Sequence, residues 1–545
     1  MVGHIESKLN TGMVVAPQPP AVEVGARVLK SGGNAFDAAI ATAFAQMVTD
    51  PQMCGIGGFG CLTLYDATRD AAHVIDFNAT AGKAATPTQW ANRIVDEQWD
   101  GYGWILEGNV NDIGYGAIAT PGTVAGLAEL HRRFATRPWA TLLQPAIEIA
   151  RNGFLVSPEL ARRWTAPTAN FLPGTGARIS FNEESQRIYL KADGRPYGLG
   201  ERFRNPDYAA TLEILAELGP EEFYTGKLAR RMADDLEANG STVTFDDLRS
   251  YRPRSYDPLI GRYLDRTIAT TNPPGGGVTL LEMLNILERY DLAQLGHNTE
   301  DYVFTMARAQ IAAMIDRAEH VGDPSFVDVP VAMLASKERA SEWRARIDSD
   351  ERLTVPRYHP DAPTTTHVSV VDTAGNCVAL THTLGASSGV INPGLGFMYN
   401  NAMNCFDPRP GMVNSIAPGK GRITGIAPTI AFAGDRPTVV LGAPGGTRIM
   451  TGILQALVNI LAFDMSAVEA VSAPRLDCQS DTLDGEARIP SWILAAAAER
   501  AGLKVWPNPA PYGSFALVQA IVIDPRTNTV MGGADPRSGG AVMAG

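Results

Sequence analysis

The residues with the clearest chemical promise are two threonines in one short segment. THVSVVDTAGNCVALTHT reads as two strands joined by a turn over Asp372–Asn376, with Gly375 supplying the turn chemistry. Facing residues of an antiparallel hairpin share a constant index sum, so pairing Asp372 with Asn376 also sets Thr365 opposite Thr383. Side chains so opposed have Cβ atoms about 4.5–5.5 Å apart, which suits a nucleophilic hydroxyl and a hydrogen-bonding partner. The plainer reading is a Thr–Thr pair that only stabilises a sheet. Thr364 and Thr366 compete with Thr365 for the nucleophile's role on the residues alone. Further on, TVVLGAPGGTRIMTGILQALVNIL reads as a strand, a glycine turn at Pro444–Gly445–Gly446, and a helix. Backbone N–H groups at such a turn can face developing negative charge, although glycine also favours an ordinary strand–helix connection.

These segments need a large scaffold, and the chain supplies one. Its 545 residues predict roughly three to four folding units at about 150 residues each. A hydrophobic fraction of 45% and a charged fraction of 19% are those of a globular protein. The net charge of −12 argues against nucleic acid or an anionic membrane as the main partner, because both select basic faces. No run approaches the about 20 apolar residues of a membrane span, and the start lacks the basic-then-apolar order of a secretory signal. The five cysteines, Cys54, Cys61, Cys377, Cys405 and Cys478, are scattered without CxxC spacing, which fits a reducing cytoplasm and thiols acting as small buried hydrophobes. The histidines form no HxxxH or HExxH pair, so neither a metal nor a cofactor is expected.

Before the hairpin the chain reads as helices with a few strands. Val22 to Leu29 is apolar at helical spacing and stops at Gly32–Gly33; Asn34 then caps AFDAAIATAFAQM, which ends at Asp50–Pro51. GIGGFG resembles a dinucleotide-binding loop, but it precedes the strand CLTLYD instead of joining a strand to a helix, so it reads as a tight turn. Helical patterns continue through GTVAGLAELHRRF, LLQPAIEIARNG, YAATLEILAELG, KLARRMADDLEANG, VTLLEMLNILERY and TEDYVFTMARAQIAAMIDRAEH, and Lys337–Arg352 reads as a solvated helix running into a loop. After DAPTTT the pattern changes to strands, tight turns and one long helix.

TTTHVSVVDTAGNCVALTHT resembles the start of the small subunit in the γ-glutamyltransferase family, whose pattern is Thr-Thr-His, Ser-Val-Val-Asp, Gly-Asn and a second Thr. GGNAFDAAIATAF, ATPGTVAGLAEL, NPPGGGVTLLEMLNILE, YNNAMNCF, LGAPGGTRI and GGADPRSGGA are similar to family segments and stand in family order, so the resemblance covers nearly the whole chain. It implies a four-layer αββα N-terminal-nucleophile hydrolase sandwich. It also implies self-cleavage between Thr364 and Thr365 into a mostly helical large fragment, 1–364, and a small catalytic fragment, 365–545, which stay associated. Thr365 is then the nucleophile, Thr383 its hydrogen-bonded partner, Gly445 and Gly446 the oxyanion donors, and Arg448 structural support. An N-terminal threonine carries its own base, an α-amine with a reference pKa of about 7.7–8.0 that is only an amide before cleavage.

The family's substrate readers are largely replaced. Asn78 in DFNAT stands where the family has a carboxylate-binding arginine, and Gly385 where it has an asparagine. Ala402 and Cys405 in NNAMNCF occupy the positions that hold the α-amino group, and Thr424–Gly425 replaces a Ser-Ser pair. The stretch between Cys405 and Thr424 is short, which implies a reduced lid. Each lost hydrogen bond to a charged group removes about 1.5–3 kcal/mol of binding, so the expected activity is amide hydrolysis of another acyl group, with water as main acceptor, in the company of cephalosporin acylases or oxamate amidohydrolase. The rival readings are a γ-glutamyltransferase or glutathione hydrolase whose pocket is rebuilt around Arg422, Asn404 and His382, and an inactive scaffold. The expected partner is a small-molecule amide, with a homo-oligomer left open.

Overall fold

The computed structural model describes residues 4–8, 11–97, 104–168, 172–355, 365–506, 515–527 and 529–545. Its centre is a pair of stacked seven-stranded antiparallel sheets. The first runs in the order Ala541–Ala544, Met13–Ala16, Thr366–Val371, Cys377–Thr383, Phe59–Asp66, Ala71–Phe77 and Arg254–Tyr256. The second runs His4–Lys8, Thr529–Ala534, Gln519–Asp524, Arg436–Gly442, Thr429–Ala433, Arg266–Thr270 and Leu259–Tyr263. Both sheets mix strands from before and after Thr365.

The layers follow from side-chain parity, since alternate residues of a strand face opposite ways. In Thr366–Val371, Val368 and Val370 pack among the helices Pro19–Lys30, Ala35–Thr49 and Thr123–Phe134. Val371 packs instead with Cys377, Ala379, Ile430, Val440 and Ile521 between the sheets. The outer face of the second sheet is covered by Gly277–Leu287, Glu300–His320 and Arg448–Ala462. Helices outside, sheets inside: this is the four-layer αββα sandwich that the resemblance implied.

One helix positions the hairpin. Asn34 and Asp37 exchange side-chain-to-backbone hydrogen bonds and start Ala35–Thr49, a helix buried along its whole length. Its small alanines let it approach the sheet closely. The Ala35 N–H also donates to a carboxylate oxygen of Asp372 at 2.8 Å, so the hairpin turn sits on the helix N-terminus. Asp372 accepts in addition from the N–H groups of Ala374 and Asn376 at 2.9 and 3.0 Å. The turn is therefore fastened to the helix as well as to itself.

Three expectations need correction. The part before the hairpin supplies Met13–Ala16, Phe59–Asp66, Ala71–Phe77, Arg254–Tyr256, Leu259–Tyr263 and Arg266–Thr270 to the sheets, more than a few strands. The part after it holds Ala467–Ser472 and Ser491–Ala501 besides the long helix Arg448–Ala462. In the charged helix Lys337–Asp348, Ala340, Trp343 and Ile347 are buried, so one face is core and only the other is solvated. All five cysteines are free and buried. Among the described residues, no helix is long and apolar enough to cross a membrane.

Candidate active site

The hairpin register is the one the sequence predicts: Thr366 pairs with His382 and Val371 with Cys377. Thr365, one residue before the strand, therefore meets Thr383, and its hydroxyl donates to the Thr383 hydroxyl at 3.0 Å. The Thr383 oxygen also accepts from the Gly385 N–H at 2.7 Å. Both threonines are buried, at 6% and 2% exposure. Thr365 has φ +111°, a left-handed backbone that a β-branched residue rarely adopts and that stores on the order of 1–3 kcal/mol. Thr364 lies outside the described residues.

Below Thr365, on the helix side, lies a polar network that sequence reasoning missed. The Gln46 amide donates to Gln18 Oε1 at 2.7 Å and to Thr366 Oγ1 at 2.9 Å, and Gln46 Oε1 meets His382 Nε2 at 3.0 Å. Gln18 passes the network on to Asp50 at 2.8 Å, and Asp50 is ion-paired with Arg163. Burial pushes the Asp50 carboxyl up, with Arg163 opposing it. The only signal in the sequence is a glutamine inside an otherwise small and apolar helix. Thr366, the local competitor for nucleophile, is committed to this network. His382 faces the helix too, so it does not rebuild the substrate pocket. His367 faces the other sheet and contacts Thr381 Oγ1 at 2.7 Å and Ser369 Oγ at 3.0 Å. Burial lowers both histidines to about 3, so both are neutral.

The glycine turn approaches from the second sheet. Strand Arg436–Gly442 crosses the hairpin so closely that a Cβ on Gly442 would lie 2.3 Å from the His367 ring, two residues from Thr365. The turn that follows leads into helix Arg448–Ala462, and Pro444 lines the same cavity as Thr365. Gly445 has φ +150° and a Cβ there would lie 2.7 Å from Ala516 Cα, so a side chain is excluded. Arg448 pairs with Asp484 at 2.8 Å and stacks on Phe515, which fits structural support.

The positions expected to read substrate gather on the far side of Thr383. Gly385 has φ +67°, and a Cβ on it would lie 2.2 Å from Asn401 Oδ1, so the Asn401 carboxamide takes the space of a side chain there. That Cβ would also lie 4.0 Å from an Arg422 guanidinium nitrogen; Arg422 is buried with its guanidinium over the Phe59 ring. Asn78 donates to the Arg422 carbonyl at 2.7 Å. Ala402 and Cys405 stand on the buried turn that follows Asn401, where Cys405 Sγ donates to Asn404 Oδ1 at 3.1 Å. The acid beside them is Asp112, which the sequence did not flag: it is ion-paired with Arg178 and accepts from Asn401 at 2.8 Å and Asn404 at 3.3 Å. Thr424 is held by Arg317, which donates to its carbonyl at 2.9 Å. Gly425 touches the glycine turn, its Cβ position 2.6 Å from the Gly446 carbonyl.

Known proteins share this arrangement of chain. A family model described as gamma-glutamyltranspeptidase matches residues 21–545. The chain is 38% identical over 543 residues to the Acylase ACY 1 proenzyme of Pseudomonas sp. (strain SE83), covering 98% of this chain and 93% of that protein. It is 31% identical over 560 residues to the Glutathione hydrolase proenzyme of Escherichia coli (strain K12), covering 98% and 92%. Among solved structures, the cephalosporin acylase from Bacillus halodurans is similar at a TM-score of 0.87 and 28% identity, covering 100% of this chain and 97% of that one.

Proposed function

The chain belongs to the γ-glutamyltranspeptidase family, and from that premise we propose an autoprocessing amidohydrolase that acts through Thr365 and takes an acyl group other than γ-glutamyl. The observation that carries the reading is the Thr365–Thr383 hydroxyl pair at 3.0 Å in a hairpin crossed by the strand that runs into the glycine turn, where Gly445 admits no side chain.

In the precursor, the Thr365 hydroxyl attacks the Thr364 carbonyl, the peptide C–N bond breaks, and an ester links Thr364 to Thr365 Oγ until water opens it. The φ of +111° is a torsion about a bond whose far side belongs to Thr364, so cutting there releases the strain. The freed α-amine then serves as base: it takes the hydroxyl proton as Oγ attacks an amide carbonyl, and returns it to the departing nitrogen. The Gly445 and Gly446 N–H groups are assigned to the oxyanion. Water repeats the attack on the acyl ester, with the amine again as base.

The acyl group follows from what surrounds Gly385. Ala402 and Cys405 offer no acid there, and Asp112 is engaged by Arg178 and Asn401. Such a site suits an acyl group without an α-ammonium. A second reading, γ-glutamyl hydrolysis, is favoured by the nearness of the Arg422 guanidinium to Gly385 and of Asp112 to Asn401. Steady-state assay of the processed protein on matched glutaryl and γ-glutamyl amides decides between them: at least tenfold higher kcat/KM for glutaryl is expected, and a preference for γ-glutamyl sinks the main reading.

A further inference from the structure

Thr365 opens onto a cavity of about 500 Å³, inside the range of about 300–1,000 Å³ usual for small-molecule sites. We propose that this cavity receives the amine half of the substrate, and that this half is bulky, mostly apolar and without net charge. The inference rests on the reading of Thr365 as nucleophile and adds the leaving group to it.

The nucleophile stands between two environments. On one side, beyond Thr383, lie Gly385, Asn78 and Arg422; none of them is among the described residues that line the cavity. On the other side, Thr365 and Pro444, the residue before the glycine turn, both line the cavity, so a carbonyl held between hydroxyl and glycine turn has this space on one flank. When Thr365 Oγ bonds to the carbonyl carbon and the C–N bond breaks, the nitrogen departs on the flank away from the acyl pocket, taking the proton that the α-amine removed from the hydroxyl.

The walls state what the amine must be. Pro17, Met53, Leu155, Leu160, Pro444 and Pro536 give an apolar surface. Leu155 is 60% exposed, an apolar side chain at the opening that a bound amine would cover. The charged groups in the wall already satisfy one another. Arg163 lies between Asp50 and Glu159, the latter at 3.6 Å, and Arg537 is ion-paired with Glu486 and Asp535. A charged amine substituent would have to break one of these pairs, whereas a neutral apolar body would not.

The test uses glutaryl amides of allylamine, benzylamine and 1-naphthylmethylamine, amines of similar basicity, so that leaving-group chemistry stays nearly constant while size grows. In the processed protein, kcat/KM is expected to rise at least tenfold from allyl to naphthylmethyl, and Leu155→Arg is expected to erase most of that ratio. Partition of the glutaryl-enzyme between water and hydroxylamine is expected to match in both proteins, because the amine has left by then. Calorimetry with 1-naphthylmethanol, a neutral surrogate that needs no turnover, should show saturable binding that Leu155→Arg weakens at least tenfold. No binding, binding indifferent to Leu155→Arg, or a Leu155→Arg effect on glutaryl-over-acetyl preference in place of amine size overturns the proposal. If no amide is hydrolysed, the nucleophile reading fails alone, and the calorimetry still decides what the cavity holds.

Discussion

Thr383→Val isolates the hydroxyl pair, because valine keeps the shape of threonine and removes only the oxygen. In the structure that oxygen accepts from Thr365 at 3.0 Å and from the Gly385 N–H at 2.7 Å. A buried N–H left unpaired costs about 1–3 kcal/mol, and a lost hydroxyl bond about 0.5–1.5 kcal/mol net. Thr383→Val should therefore lower unfolding free energy by roughly 1.5–4.5 kcal/mol in urea titrations. The effect on chemistry should be larger than stability alone explains. Thr365 precedes its strand, and Thr383 is the side chain that holds its hydroxyl, so its rotamer is released; a displacement of about 1 Å at a reacting atom lowers rates about 10²-fold. We expect kcat to fall by about that factor, with self-cleavage slowed as well on denaturing gels. Thr383→Ser keeps the oxygen and should recover most of both. A Thr383→Val protein that cleaves normally and turns over within about threefold of wild type would refute the role given to this pair, since a bare sheet contact has no claim on kcat.

Thr365→Ala should leave a single chain of 58.2 kDa without amidase activity, while wild type and, more slowly, Thr365→Ser give pieces of about 39 and 19 kDa by intact mass. Gly445→Ala forces a side chain toward Ala516 at φ +150° and disturbs an oxyanion donor, so kcat should fall about 10²–10³-fold while the circular dichroism spectrum is retained. His367 and His382 are lowered to about 3 from 6.5, so the stability they contribute is complete above pH 6.5 and is lost as pH falls toward 3. In that window stability should drop by about 2.7 kcal/mol per pH unit, and His382→Asn should roughly halve the slope. Asn78→Arg with Cys405→Asp should raise γ-glutamyl anilide hydrolysis at least tenfold; no gain would mean that the backbone around Asn401 has diverged along with the charges.

The hairpin was legible because its register depends on two local facts, a turn and a period of two. The helix Ala35–Thr49 was legible because its cap and its stop are both written beside it. What the sequence hid were contacts between segments far apart. Gln46 reaches Thr366 across 320 positions, and Asn401 fills the space beside Gly385 through a backbone geometry that no spacing encodes. Arg422 was named as a candidate reader on its segment alone, and the structure puts its guanidinium beside Gly385. His382 was named with it and fails for a reason that parity could have supplied: its neighbour Thr383 faces the site, so His382 faces the helix. The strands before the hairpin were undercounted because edge strands such as Arg254–Tyr256 are short and half-buried, which weakens the alternation that marks them.

A strained residue persists where the surrounding structure over-determines it, and Thr365 is held in that way by its side chain and by the hairpin that follows it. Its strand is the third of seven in its sheet, its hydroxyl is tied to Thr383, and the next residue is held by Gln46 from the helix whose other end is fastened to Asp372 at the hairpin turn. Relaxing the backbone at Thr365 from the hairpin side would mean sliding the hairpin along that helix and breaking both anchors. In the proposed self-cleavage, cutting the bond before Thr365 releases that strain instead. The same interleaving explains why a cut would not part the pieces: Met13–Ala16 pairs with Thr366–Val371, Cys377–Thr383 with Phe59–Asp66, and Arg266–Thr270 with Thr429–Ala433, so dissociation would open the first sheet on both sides of the hairpin and strip two strands from one end of the second. On the proposed mechanism, a fold that holds Thr365 this way before cleavage has its geometry in place afterwards, and the new group the site then needs is the amine that cleavage itself would provide.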